Sequence, residues 1–193
     1  AFVTDAAGNP VAGVAVQFLL RPRQDIVVDP LRYLTDPAYV AQLLKRDVAP
    51  PAGVTLNSDH AYYKGVYVWD GEFWVPIVSA SCFNEDANFN GILNGGEDNN
   101  KNGALEPGNV FSITPTATTN SAGYAVTTIT YPKDRANWLA VTLKATAQAF
   151  GTEAFDSATF RLPVATEDVN NIDVIPPGFF SPYGVSTVCT DTN

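Results

Sequence analysis

Six residues in the middle of the chain recur at a fixed spacing. Glu85, Asp86, Asn88, Asn90, Gly91 and Leu93 return as Glu97, Asp98, Asn100, Asn102, Gly103 and Leu105, a period of twelve. Each unit reads D-x-N-x-N-G. Side-chain oxygens at positions 1, 3 and 5 converge on one point only if the backbone turns sharply at position 6, where glycine tolerates the dihedrals required. A carbonyl at position 7 and an acid at position 12 complete an oxygen cage for a hard divalent cation. The first unit supplies Asp86, Asn88 and Asn90, the turn at Gly91, the Ile92 carbonyl, and Glu97 at position 12, which is the full calcium-loop pattern. The second supplies Asp98, Asn100, Asn102, Gly103 and the Ala104 carbonyl. Its position 12 is Asn109, so Glu106 at position 9 is the acidic ligand expected there. The cofactor implied is Ca2+, held with the modest affinity of extracellular modules because each loop has only two carboxylates. The alternative is a polar, glycine-rich surface loop without metal; acids, amides and glycines falling in register twice argue against it.

Other reactive residue types are sparse. His60 is the only histidine. Its neighbours Ser58 and Asp59 are adjacent in sequence, whereas a catalytic triad requires convergence from separate segments. The expectation is a chain that is not an enzyme. Cys82 and Cys189 form no CxxC pair and, with a single histidine, rule against zinc. They are either one long-range disulfide or two buried thiols. Cys82 stands just before the first loop and Cys189 in the tail, past Pro176-Pro177-Gly178, so the expected disulfide would clamp that tail. Tyr67, Trp69 and Trp74 are a possible platform for a sugar or peptide.

These residues need a scaffold, and the composition provides one. Of 193 residues 46% are hydrophobic and 16% charged, a globular composition. Acidic side chains outnumber basic ones 20 to 11, for a net charge of -9. With no basic cluster beyond Arg21, Arg23, Lys45 and Arg46, nucleic acid is excluded as a partner, and cations are favoured. No apolar run is long enough to span a bilayer, so membrane insertion of this fragment is not expected. The opening Ala1-Phe2-Val3-Thr4 lacks a basic segment followed by an apolar one, which predicts a mature fragment whose targeting signal is removed or lies elsewhere.

The pattern along the chain predicts strands at residues 2–4, 14–20, 124–131, 139–149 and 154–162, with turns at 5–10, 120–123 and Gly151. Short alternating strands at regular spacing predict a β-sandwich. Residues 21–109 interrupt it. Within them Asp36-Pro37 and the apolar positions Tyr39, Val40, Leu43 and Leu44 predict a short amphipathic helix at 37–46, stopped by Pro50-Pro51. Asp70-Gly71 predicts a tight hairpin with Trp69 facing Glu72, Val68 facing Phe73 and Tyr67 facing Trp74. Its aliphatic face, Val66, Val68, Phe73 and Val75, is expected to pack inward. Flanking helices of the EF-hand kind are absent around 84–109, so the repeat reads as tandem loops that hold a segment in place.

Val3-Thr4-Asp5-Ala6-Ala7-Gly8-Asn9-Pro10-Val11-Ala12-Gly13-Val14-Ala15-Val16-Gln17-Phe18 resembles the opening of bacterial Ig-like domains of the invasin and intimin group. Thr118-Thr119-Asn120-Ser121-Ala122-Gly123-Tyr124-Ala125-Val126-Thr127 resembles their later turn into a Val/Thr strand. The likeness covers residues 3–18 and 110–163 and leaves 21–109 outside it. It implies an all-β immunoglobulin-like sandwich at the bacterial surface or secreted, in series with similar modules. The expectation is one domain over 1–193, with an insertion at 21–109 carrying a helix, a β-hairpin and calcium loops at 84–109, and an irregular tail at 164–193. Expected partners are neighbouring modules of the same polypeptide and a host or matrix protein or glycan. The expected role is a calcium-stiffened spacer or display module; the alternative is an adhesive or carbohydrate-binding module acting through the aromatic hairpin face.

Overall fold

A computed structural model describes residues 1–23, 60–86, 90–149 and 151–192. The helix expected at 37–46 lies outside the described residues, as do Ser58, Asp59 and Asn88. Among those described, the secondary structure is antiparallel β with two short 3-10 turns, Lys133–Arg135 and Thr166–Asp168. The strands are β1 (Ala15–Pro22), β2 (Tyr62–Trp69), β3 (Trp74–Cys82), β4 (Ser112–Ile113), β5 (Thr116–Thr118), β6 (Ile129–Thr130), β7 (Ala140–Ala149) and β8 (Thr152–Arg161). They form a four-stranded sheet in the order β5-β1-β7-β8 and two-stranded sheets β2-β3 and β4-β6.

The chain divides into two compact units. The first comprises Ala1–Arg21, Val110–Tyr131 and Thr142–Phe160. Strict alternation makes β1 a strand here: Val16, Phe18 and Leu20 are buried while Ala15, Gln17 and Leu19 are exposed. Val16 and Phe18 join Ala125 in the core, against Val3, Ile113, Ala117, Leu143, Ala145 and Ala147. The register Ala15↔Thr118, Val16↔Ala117, Gln17↔Thr116 is locked by Thr119, whose hydroxyl accepts the Val14 N–H at 2.9 Å and donates to the Val11 carbonyl at 2.8 Å. The hairpin expected at Gly151 is β7-β8. The strand expected at 124–131 is shorter: only Ile129–Thr130 is strand, and Tyr124 makes a single bridge to Phe2. The Asn120 side chain accepts the N–H groups of Ala122 and Tyr124, which spends the start of that segment on a turn.

The second unit comprises Pro22–Asn109, Pro132–Val141 and Arg161–Asn193. Its core holds Ala61, Tyr62, Tyr67, Cys82, Trp138 and Tyr183. The β2-β3 register corrects the sequence expectation: Trp69 faces Trp74 and Val68 faces Val75. The cause is Asp70, whose carboxylate accepts both the Glu72 and Phe73 N–H groups, at 2.9 and 2.8 Å, while its own N–H donates to the Phe73 carbonyl at 3.0 Å, so that the turn spans 70–73 and the ladder begins at Trp69 and Trp74. The faces are also reversed. Tyr67 is 1% exposed and Val68 46%, so the aromatic side turns inward. Burying Tyr67 is tolerable because its hydroxyl accepts a 3.0 Å bond from Asn137 Nδ2 while its ring meets Trp138 edge-on.

The tail is irregular in backbone but lies along β2. Phe179 accepts the Tyr67 N–H, Gly184 accepts the Gly65 N–H, and the Ser181 hydroxyl donates to the Tyr63 carbonyl. Cys82 and Cys189 are joined in a disulfide across a sequence separation of 107. At the β2 bulge between Lys64 and Gly65, a Cβ on Gly65 would fall on the Ile77 carbonyl and 3.0 Å from the Trp138 ring. Gly65→Ala is therefore expected to cost about 2 kcal/mol through overpacking, read as a lower urea midpoint at unchanged slope. A midpoint equal to wild type would show that this close approach is not needed.

Candidate metal centre

Residues 84–109 belong to the second unit, and the sequence repeat becomes a repeat of geometry. In the first loop Asp86 accepts the Asn90 N–H at 3.1 Å and the Gly91 N–H at 2.9 Å. In the second, Asp98 accepts the Asn102 N–H at 3.0 Å and the Gly103 N–H at 2.9 Å. The position-5 amides repeat too: Asn90 Oδ1 accepts the Ile92 N–H and Asn102 Oδ1 the Ala104 N–H, each at 2.8 Å. Gly91 and Gly103 have φ of 70° and 76°, the left-handed turn that the motif demands. Ile92 and Ala104, at position 7, are exposed.

The acids close each loop differently. Glu97 is 3% exposed, and its Oε2 accepts the Asn94 N–H at 2.8 Å, which ties position 12 back to position 9. Glu106 draws the second loop together from position 9: its two oxygens accept Asn100 Nδ2 at 2.9 Å and Asn102 Nδ2 at 3.0 Å. Asn100 Oδ1 also accepts the Asn102 N–H. The structure thus brings Asp98, Asn100, Asn102 and Glu106 together; in the first loop Asp86 holds the Asn90 N–H, whereas Glu97 holds that of Asn94. Burial raises the Glu106 carboxyl above the usual range, opposed by its Asn102 bond and by the Lys64 charge.

Sequence reasoning missed what lies beneath the loops. Glu85 is fully buried; its Oε1 accepts the Asn99 N–H at 3.1 Å and its Oε2 the Glu106 N–H at 3.0 Å. Its own N–H donates to the Glu106 carbonyl at 2.7 Å. Lys64 on β2 is also fully buried, and its ammonium donates to the Asp191 carbonyl. Burial depresses that ammonium, while the charges of Glu106, Asp191 and Glu85 support it. The repeat contained Glu85, matched by Glu97, so its recurrence was the available signal; Lys64 gave none.

The donor set fits a hard cation: carboxylates and amides, all oxygen, arranged twice about a glycine turn. Among the described residues no group of three His, Cys, Asp or Glu side chains forms a metal cluster. No known protein family, curated protein or solved structure matches the chain.

The remaining candidates separate. Tyr67 is buried and cannot belong to an aromatic platform. Trp69 and Trp74 stay together, edge to face at 5.6 Å, and continue into Phe179 and the 63% exposed Phe180. Trp74 spends its indole N–H on the Asn171 carbonyl at 2.9 Å. His60 rests its ring against Phe83 at 4.9 Å. A cavity of about 410 Å³ in the first unit is lined mainly by apolar side chains, with Asp156 its one carboxylate. Among the described residues no helix is long and apolar enough to cross a membrane.

Proposed function

We propose that residues 84–109 are a tandem calcium-binding segment, and that the chain is a non-enzymatic structural module of a bacterial surface or secreted protein. The observation that carries this reading is the repeated Asp cap: Asp86 and Asp98 each hold the N–H groups of positions 5 and 6, with bond lengths agreeing within 0.1 Å between the loops. In the first loop Asp86, Asn88, Asn90, the Ile92 carbonyl and Glu97 would hold the ion; in the second, Asp98, Asn100, Asn102, the Ala104 carbonyl and Glu106 would do so. The ion supplies positive charge that offsets the repulsion among these acids, and the chain supplies the prearranged oxygens. The Cys82–Cys189 disulfide is compatible with an oxidising location outside the cytosol. The immunoglobulin-like reading of the first unit draws support from its antiparallel β5-β1-β7-β8 sheet and from the motif resemblance.

The rival adhesive reading now rests on Trp69 and Trp74, extended by Phe179 and Phe180. Binding on a glycan array, lost on Trp69→Ala, would favour it.

Asp86→Ala removes both a ligand and the cap of its loop. It is expected to weaken calcium at the first loop by about a hundredfold or more, beyond what loss of an outer-shell group costs. Asp98→Ala is expected to have the smaller effect on stability, because its loop lacks an acid at position 12. Terbium luminescence sensitised by the tryptophans, titrated in both variants, measures this. Unchanged terbium and calcium affinity in both would remove the loops from the metal reading.

A further inference from the structure

β8 is the edge of the four-stranded sheet, and among the described residues no strand or bridge pairs with its outer side. A long exposed edge is a template for another strand, and chains usually blunt one with Lys, Pro or a short run. β8 runs for 10 residues with neither Lys nor Pro, whereas the opposite edge, β5, has 3 residues. The register of β8 shows what its outer side offers. Ala149 and Thr152 flank the Gly151 turn, and the Thr142 and Thr159 hydroxyls meet at 3.1 Å, as the same register requires. Just past β8 the Leu162 N–H donates to the Leu139 carbonyl at 2.9 Å, so the even-numbered residues of this strand bond toward β7. Glu153, Phe155, Ser157 and Thr159 therefore turn their N–H and C=O groups outward. The Ser157 N–H is held by the Asp156 carboxylate at 2.8 Å, an exposed bond that pairing would exchange. Ala154, Asp156 and Ala158 stand opposite Ala147, Ala145 and Leu143, on the side of the apolar cavity. Phe155 is on the other face, 67% exposed, with the Lys144 ammonium 4.3 Å from its ring centroid.

From this we infer that the outer edge of β8 pairs antiparallel with the β8 of a second copy of the chain, about a two-fold axis at Ser157. The strand is self-complementary in that register. Phe155 faces Thr159 of the second copy, an aromatic ring against a β-branched side chain, and the pair occurs twice. Glu153 faces Arg161 of the second copy, so opposite charges meet at both ends. Arg161 stays exposed although its guanidinium lies 3.6 Å from the Tyr63 ring centroid. On the cavity side Ala154 faces Phe160, which sets a large ring beside one of the small side chains that leave the cavity open. Other registers lose this match. Sliding by two residues toward the turn sets Asp156 against its own copy, and sliding the other way sets it against Phe160. The contact is isologous and consumes the edge it uses, so it closes at two chains instead of growing.

Sedimentation equilibrium of the full chain, from about 1 µM to about 1 mM, should show monomer and dimer with a Kd on the order of 10–100 µM, the strength of an interface of one strand pair. Glu153→Arg should weaken the dimer about tenfold or more, because the reversal acts at both ends, and Arg161→Glu should do the same. An equimolar mixture of the two variants makes every such pair opposite in charge again, and should recover the wild-type affinity within about threefold. Ser157→Pro removes an N–H that points away from β7 and should abolish the dimer. Where that variant lowers the melting temperature, the charge variants and their mixture carry the test. Hydrogen exchange supplies the register: at dimer concentrations the Phe155 and Thr159 amides should slow about tenfold or more relative to the dilute chain, while the Ala154 and Ala158 amides, bonded to β7, should not change. A chain monomeric throughout that range overturns the proposal. So does a dimer indifferent to the charge variants, growth beyond two chains, or Phe155 and Thr159 amides already protected in the dilute monomer.

Discussion

Removing the Cys82–Cys189 bond is expected to lower stability by roughly 4–5 kcal/mol, the largest loss from any single change considered. The bond closes a loop of 107 residues, and in the chain-entropy model the crosslink removes that much freedom from the unfolded ensemble. It also anchors the segment that lines β2, where Ser181 and Gly184 meet Tyr63 and Gly65. The double variant Cys82→Ala, Cys189→Ala avoids leaving a lone buried thiol at Cys82, which is fully buried. Its urea midpoint, followed by tryptophan fluorescence, should fall far below that of the oxidised wild type. A loss below about 1 kcal/mol would mean that the tail is held by its hydrogen bonds alone, and that the chain-entropy argument fails here.

The second large effect concerns calcium. A ligand bound only by the folded state stabilises it by about 2.7 kcal/mol at a hundredfold excess over Kd. For a chain of this size that raises the melting temperature by roughly 5–10 °C, an increase that chelator should abolish. The effect should be local. Without metal, Asp86, Glu97, Asp98 and Glu106 repel one another, and exchange over 90–109 should quicken. The strands β1 and β7 have their own core around Val16 and Phe18 and should stay protected. Simultaneous loss of protection in β7 and the loops would make calcium a folding element of the whole chain.

The geometry of the two loops was legible because its logic is local. A period of twelve with glycine at position 6 specifies a loop whatever surrounds it, and Asp86 and Asp98 cap as the motif requires. What was illegible depends on partners distant in sequence. Glu85 meets residues 14 and 21 positions away, and Lys64 meets Asp191 across 127. The hairpin shows the same division. Alternation correctly predicted two strands around Asp70-Gly71, but the face that turns inward meets partners far along the chain, Trp138 against the Tyr67 ring and Asn137 on its hydroxyl. The register was set by the Asp70 carboxylate, a local device that the two-residue turn expectation did not weigh. Among the β strands, β1 was readable from alternation alone, whereas residues 124–131 had the right composition and spent their first part on the Asn120 turn.

Calorimetric titration of the metal-stripped wild-type chain with calcium chloride decides whether the repeated loops bind the ion. A saturable heat is expected, with one ion or two per chain, Kd in the micromolar to millimolar range of sites with few carboxylates, and loss of the first-loop component on Asp86→Ala. No saturable heat in the wild type, together with a melting temperature indifferent to chelator, would rule out calcium at these loops.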